Sequence, residues 1–206
     1  TCFRLAPNIV IDAGNIIAPL KEEAESVEYV FLTHSHLDHV VDIPFLIDTF
    51  YAIKTKPLII YGLAETLESL KENILNWKVW PDFSELDLIN KSGKSIIFTE
   101  IDFGDVFEIS GLTIEPIKTC HTIASCGYKI TKDGRTTIIT SDTGPCDEVV
   151  RVVKETKNPK NLVIECAFPS RFKKLAHDSM HLTPLLLEEE LKKIGRTDRS
   201  EERRVG

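Results

Sequence analysis

The chain has 206 residues, 42% of them hydrophobic and 28% charged, with a formal net charge of −7. That length can bury a full core as one domain without help from disulfides, and no apolar run approaches membrane-spanning length. Lys and Arg are scattered among more numerous acids. This argues against a nucleic-acid polymer as the main substrate, because polyanion binders display a basic stripe.

In chain order, residues 2–5 read as a strand already in progress. Short apolar runs bounded by turn residues predict further strands at 9–12, 29–32, 58–61, 95–98, 106–109, 112–117, 127–130, 136–140 and 162–165. Helical patterns fall at 41–53, 64–74, 147–154 and 184–194. The last carries Thr183 as cap, Pro184 at its first position and Gly195 as its stop. Strands alternating with helices predict an α/β fold of four αββα layers, two sheets with helices outside. Asp133-Gly134 is a hairpin signal, and its flanking Lys129, Lys132 and Arg135 read as a solvated turn.

The densest chemistry follows the run Tyr29-Val30-Phe31-Leu32. There Thr33-His34-Ser35-His36-Leu37-Asp38-His39 packs three imidazoles and a carboxylate into one loop. Residues two apart in an extended backbone point the same way, so His34 and His36 can grip one ion. Asp38 and His39 then face a second position beside it. Imidazole with carboxylate suits Zn²⁺ best, ahead of Mn²⁺ or Fe²⁺.

The motif resembles that of the metallo-β-lactamase superfamily, His-x-His-x-Asp-His after a strand. Ile9-Val10-Ile11-Asp12-Ala13-Gly14 is similar to its early strand and Asp turn, and Asp12 is read as a structural support of the motif loop. His121 is similar to the third ligand of the first metal, and Ser141-Asp142-Thr143-Gly144 to the segment whose aspartate bridges both. Asn76-Trp77-Lys78-Val79-Trp80-Pro81 and His181-Leu182-Thr183-Pro184 resemble class II cyclic-nucleotide phosphodiesterases. The resemblance implies a four-layer αββα sandwich with two Zn²⁺ in the parent chain. His34, His36 and His121 would hold the first ion, Asp38 and His39 the second, and Asp142 would bridge. It also implies a small-molecule cyclic nucleotide as substrate, hydrolysed to a nucleoside 5′-monophosphate, with a homodimer left open. Paired ions lower the pKa of a shared water to near 7, which supplies hydroxide at neutral pH.

Two departures from the pattern stand out. Asp42 occupies a position where the superfamily has Gly or Ser, at the start of a helix that tolerates an acid. No histidine follows His181, so the superfamily's late ligand to the second metal is absent. With Thr1 at one end and the charged string 199–206 at the other, the expectation is a hydrolase domain over 1–196, truncated at both ends. Residues 197–206 would then be a disordered or foreign tail.

The departing 3′-oxygen of a cyclic phosphate needs a proton, and His181 can supply it, since imidazole titrates in the working range. Glu165 can orient His181 as a carboxylate partner of its other ring nitrogen, or it can merely cap the following turn. Asp38 counts as both ligand and catalytic residue. His177 reads as a surface residue of a polar loop at 176–179. Trp77, Trp80 and Phe83 can stack a purine or can serve core or dimer packing. Five cysteines without paired spacing read as free thiols in a reducing, cytoplasmic compartment, and Cys120 beside His121 as a small buried residue. Two other readings stay open. One is a different hydrolase of this fold, such as an RNA 3′-processing endonuclease; the other is a metal-binding module without turnover.

Overall fold

The computed structural model describes residues 1–157 and 159–195. The described residues pack as two compact units, one made of Thr1–Asp102 with Ile123–Ser125, the other of Phe103–Thr122 and the described residues that follow Ser125. Each carries one five-stranded sheet, so the fold class is α/β as the pattern predicts.

In the first unit β1 (Phe3–Ala6) runs antiparallel to β2 (Ile9–Ile11). β2, β3 (Tyr29–Phe31), β4 (Leu58–Gly62) and β5 (Ile96–Glu100) follow in parallel and in chain order. Parallel strands covered on both faces read as continuous apolar runs, and β2 is wholly buried. One line of the register crosses the sheet through Val10, Val30, Ile60 and Phe98. Its neighbour, Ile11, Phe31, Tyr61 and Thr99, brings the strand ends level. The loops that open at Asp12 and Leu32 therefore leave adjacent strands at the same carboxyl edge, where open α/β sheets place their ligands.

Two helices on this sheet share its core. Ile43, Leu46 and Ile47 of α3 (Asp42–Phe50) and Leu67 and Leu70 of α4 (Ala64–Asn73) pack with Val10, Val30, Leu32 and Ile60. Before them lie α1 (Ile17–Leu20), a 3₁₀ turn at Lys21–Ser26 and α2 (Leu37–Val40). The helix expected from residue 41 thus begins four residues earlier. His36 has extended dihedrals and acts as the cap of α2, and Val41 links α2 to α3 with helical ones. Pro44 is tolerated because it lies in the first turn of α3, whose N–H groups have no partner within that helix.

The second unit holds β6 (Phe107–Ile109), β7 (Leu112–Lys118), β8 (Cys126–Lys132) and β9 (Arg135–Ile139) in an antiparallel meander. Asp133 and Gly134 both have positive φ, the two-residue hairpin that their sequence predicts. β10 (Pro159–Val163) joins β9 in parallel. The strand expected at 162–165 therefore starts three residues earlier and ends two residues earlier. Its pairing with β9 ends where Val163 meets Ile139, the last residue of β9, so Ile164 and Glu165 lie beyond that ladder.

Val149, Val150 and Val153 of α5 (Asp147–Glu155) and Ile194 of α7 (Pro184–Ile194) pack on Ile117 and Ile138. Thr183 caps α7 by accepting from Leu186 N at 3.3 Å, and Gly195 closes it at φ 75°. A 3₁₀ turn at Ser170–Phe172 leads into α6 (Lys173–Asp178), where the sequence suggested only a polar loop. Ala176 is the one buried residue of α6, too faint a stripe to show as periodicity.

The cysteine reading needs correction. Cys120 and Cys146 form a disulfide with Cα atoms 5.5 Å apart. Their separation of 26 residues hides the pairing in the sequence, and only the neighbouring loops after β7 and β9 reveal it. The cysteines thus give no support to a reducing compartment. No helix among the described residues is long and apolar enough to cross a membrane. The expected tail at 197–206 lies outside the described residues.

Candidate metal centre

The first unit builds its donor cluster on Asp12, which turns the chain after β2 at φ 60°. Its Oδ1 accepts from Thr33 N at 2.8 Å, and Thr33 Oγ1 lies 2.9 Å from both of its carboxylate oxygens. Thr33 Oγ1 is also 2.9 Å from His34 Nδ1. With the hydroxyl proton given to Asp12, that oxygen accepts from His34 Nδ1–H, which leaves His34 Nε2 with its lone pair. Asp12 Oδ2 takes the hydrogen bond of His39 Nδ1 at 2.7 Å, so His39 too offers Nε2. Burial pushes the Asp12 carboxyl up, while its bonds to His39 and Thr33 pull the other way.

Four atoms then stand as two close pairs. His34 Nε2 and His36 Nδ1 are 3.1 Å apart, and His39 Nε2 and Asp38 Oδ2 are 3.4 Å apart. Ligand bonds of about 2.0–2.1 Å at tetrahedral angles separate two donor atoms by about 3.3 Å, so both pairs have the spacing a divalent ion needs. Gly14 holds the turn against this loop. A Cβ there would meet Asp38 O at 1.6 Å, so only glycine fits. The backbone adds Ala13 N→His39 O at 2.6 Å and Asp42 N→Ala13 O at 2.8 Å.

The second unit contributes its own cluster. His121 Nδ1 faces Met180 O at 3.2 Å, which again leaves Nε2 as the donor atom. His121 and His181 meet edge to face with ring centroids 4.9 Å apart, and Phe168 packs on His181 at 5.5 Å. His181 Nδ1 lies 2.5 Å from Glu165 Oε1. Glu165 also accepts from Thr143 N at 3.1 Å and Ala167 N at 2.8 Å. Burial pushes the Glu165 carboxyl up, against the pull of Thr143 and His181. One ligand atom each from Asp142, Glu165 and His181 lie within 4.8 Å of one another. These donors, imidazole and carboxylate without thiolate, suit a divalent cation.

The structure thus places His34, His36, Asp38 and His39 together, and brings Asp142, Glu165 and His181 together beside His121. Glu165 lies beyond the end of β10, and its several bonds exceed a mere turn cap. His177 is exposed on α6. Phe83 is a core residue at 3% exposure, whereas Trp77 is 55% exposed. The sequence does not show that Asp12 orients His39, that the Met180 carbonyl orients His121, or that Asp42 serves another helix. Asp42 Oδ2 accepts from Ile16 N at 2.6 Å and Ile17 N at 3.0 Å. These links join residues 25 to 59 apart, beyond the range of any local pattern.

The fold and the two donor clusters define a metallo-β-lactamase-type protein. A crystal structure of the metallo-β-lactamase fold protein YhfI from Bacillus subtilis superposes with a TM-score of 0.68 at 21% identity, over 94% of this chain and 74% of that one. Residues 11–133 match the family model of class-II cAMP phosphodiesterases, and the chain belongs to that family. It is 26% identical to a probable 3′,5′-cyclic-nucleotide phosphodiesterase of Yersinia pestis, over 86% of this chain. It is 24% identical to a ribonuclease Z of Sulfurisphaera tokodaii, over 63% of this chain. The chain spans 55% of the length of each of these two relatives.

Proposed function

We propose that the protein is a metal-dependent phosphodiesterase that hydrolyses 3′,5′-cyclic nucleotides to nucleoside 5′-monophosphates. His34, His36 and His121 would hold one Zn²⁺ and Asp38 and His39 a second, with Asp142 as a ligand shared between them. Such a pair of ions supplies a water of lowered pKa and neutralises charge on the phosphoryl oxygens.

The observation that carries the reading is the 2.5 Å contact between His181 Nδ1 and Glu165 Oε1. A carboxylate on Nδ1 orients the ring, and when the ring carries both protons the carboxylate holds Nδ1–H and Nε2–H is available for transfer. As the water oxygen adds to phosphorus, the P–O3′ bond breaks and O3′ takes the proton from His181 Nε2. The proton lost by the water restores His181 through solvent. Phe168 packs on the imidazole ring and limits its rotation.

The second reading, an RNA 3′-processing endonuclease, rests on the ribonuclease Z likeness. The net charge of −7 favours the small substrate. Incubation with cyclic AMP, cyclic GMP and a precursor tRNA bearing a 3′ trailer separates the two. Release of 5′-monophosphate with the RNA intact supports the first reading. Trailer removal without cyclic-nucleotide turnover overturns it.

A further inference from the structure

Both imidazoles of the second donor cluster depend on one backbone feature, the end of α6. Three hydrogen bonds close that helix: Ser179 N→Leu175 O at 2.9 Å, Met180 N→His177 O at 3.2 Å and His181 N→Ala176 O at 2.8 Å. The last two have the spans of a Schellman motif, in which one residue past the helix turns left-handed and the next bonds back into its final turn. Met180 is the left-handed residue, at φ 53°. Glycine is the usual occupant of such a place, because a Cβ is disfavoured there. Here the single methionine of the chain stands in it, directly before His181.

This turn has two consequences. The Met180 carbonyl points out of the helix and accepts from His121 Nδ1 at 3.2 Å, across 59 residues of sequence. The bond back to Ala176 also fixes the main chain at His181, whose ring then meets Glu165 Oε1 at 2.5 Å. On the far side of His181, Phe168 N donates to Leu182 O at 3.2 Å. The loop that carries Asp142 fits the same turn. A Cβ on Gly144 would meet Met180 Cα, C and Cε at 3.4 Å each, so this loop packs closely on the methionine. Rotating Met180 out of the left-handed region would move its carbonyl and His181 together.

We propose that Met180 is a positioning residue for two imidazoles at once. Its left-handed turn presents the carbonyl that orients His121 and sets the main chain from which His181 projects. The link to His181 as proton donor rests on the cyclic-nucleotide reading above, and the link to His121 stands without a substrate.

Met180→Gly and Met180→Val test it, because glycine adopts positive φ freely and a β-branched residue resists it. Competition with a chromophoric chelator measures the affinity for Zn²⁺ alone. That affinity should fall about 10- to 100-fold in Met180→Val, the usual loss when the partner of a ligating histidine is disturbed. It should stay within about 3-fold of the wild type in Met180→Gly. Ile194→Ala, a core change in the same unit, controls for lost stability and should keep its Zn²⁺. Equal losses in Met180→Val and either of the other variants, or no loss in Met180→Val, would overturn the proposal. Imidazole ¹H–¹⁵N spectra of the metal-free wild type supply a reading that needs no Met180 variant. They should show His121 protonated on Nδ1, its signal identified by His121→Gln. Protonation on Nε2 instead refutes the link even if Met180→Val fails to fold. At saturating Zn²⁺, kcat of Met180→Val should fall about 10-fold further on cyclic AMP than on bis(p-nitrophenyl) phosphate, whose leaving group needs no proton. Equal falls would overturn the link to His181. A wild type that turns over neither substrate refutes the catalytic reading alone, and Zn²⁺ affinity and the His121 tautomer still decide Met180.

Discussion

Asp12 Oδ2 and His39 Nδ1 lie 2.7 Å apart with both side chains closed off from solvent. The carboxylate thereby chooses the tautomer of His39 and, through Thr33, that of His34. Asp12→Asn should keep the bond to Thr33 N but present an amide N–H to His39 Nδ1, moving the ring proton to Nε2. A protonated Nε2 cannot ligate. Elemental analysis should then show about one metal fewer per chain, with the fold intact by circular dichroism. Undiminished metal content would mean that Asp12 is only a brace for the loop. Asp12→Ala should also lose about 1–3 kcal/mol of stability for each buried donor left unpaired.

His181 and Glu165 offer a sharper test, because proton donation matters only when the leaving group is poor. His181→Ala should lose on the order of 10²–10⁴-fold in kcat on a cyclic nucleotide. It should lose little on bis(p-nitrophenyl) phosphate, whose leaving group departs unprotonated. Glu165→Gln should give a milder loss with the same selectivity. Equal losses on both substrates together with loss of metal would move His181 into the metal shell, a place its proximity to Asp142 permits.

How much of this the sequence discloses depends on whether a feature is local. His34, His36, Asp38 and His39 sit in one loop, so strand, turn and ligand spacing are legible together. α7 is legible because Thr183, Pro184 and Gly195 bracket it. Glu165 is only half legible: the apolar run before it suggests a strand, but the end of β9 at Ile139 decides where pairing stops. Trp77 and Phe83 look alike as sequence, and tertiary packing buries one and exposes the other. The Cys120–Cys146 link and the Asp12–His39 bond span 26 and 27 residues, and no local periodicity reports such closures.

Asp42 carries a stability prediction that its place in the motif would not suggest. Its Oδ2 satisfies two backbone N–H groups at the start of α1, Ile16 and Ile17. Asp42→Ala removes both bonds and should cost about 1–2 kcal/mol, the usual scale for a lost helix cap. Urea titration should show a lower midpoint with an unchanged slope. Asp42→Asn, whose side-chain oxygen can still accept, should recover most of the loss. An unaltered midpoint in Asp42→Ala would place the hold on α1 elsewhere.

The cysteines separate by reactivity. Cys166 is exposed, Cys126 is buried, and burial pushes the half-buried Cys2 thiol up to about 11. Thiolate is the reacting species. With its thiol at about 11 against the ordinary 9.0, Cys2 holds on the order of 100-fold less thiolate at pH 8 than an unperturbed thiol. Ellman's reagent on the native protein should therefore titrate one thiol rapidly, at Cys166, with Cys2 and Cys126 trailing far behind. In denaturant without reductant the total should reach three, because Cys120 and Cys146 are paired. Reduction before denaturation should raise it to the five cysteines of the sequence. Five thiols in the unreduced, denatured protein would show the pair to be open. Cys166→Ser should abolish the rapid phase alone, and loss of the slow phase in its place would assign the reactive thiol to Cys2.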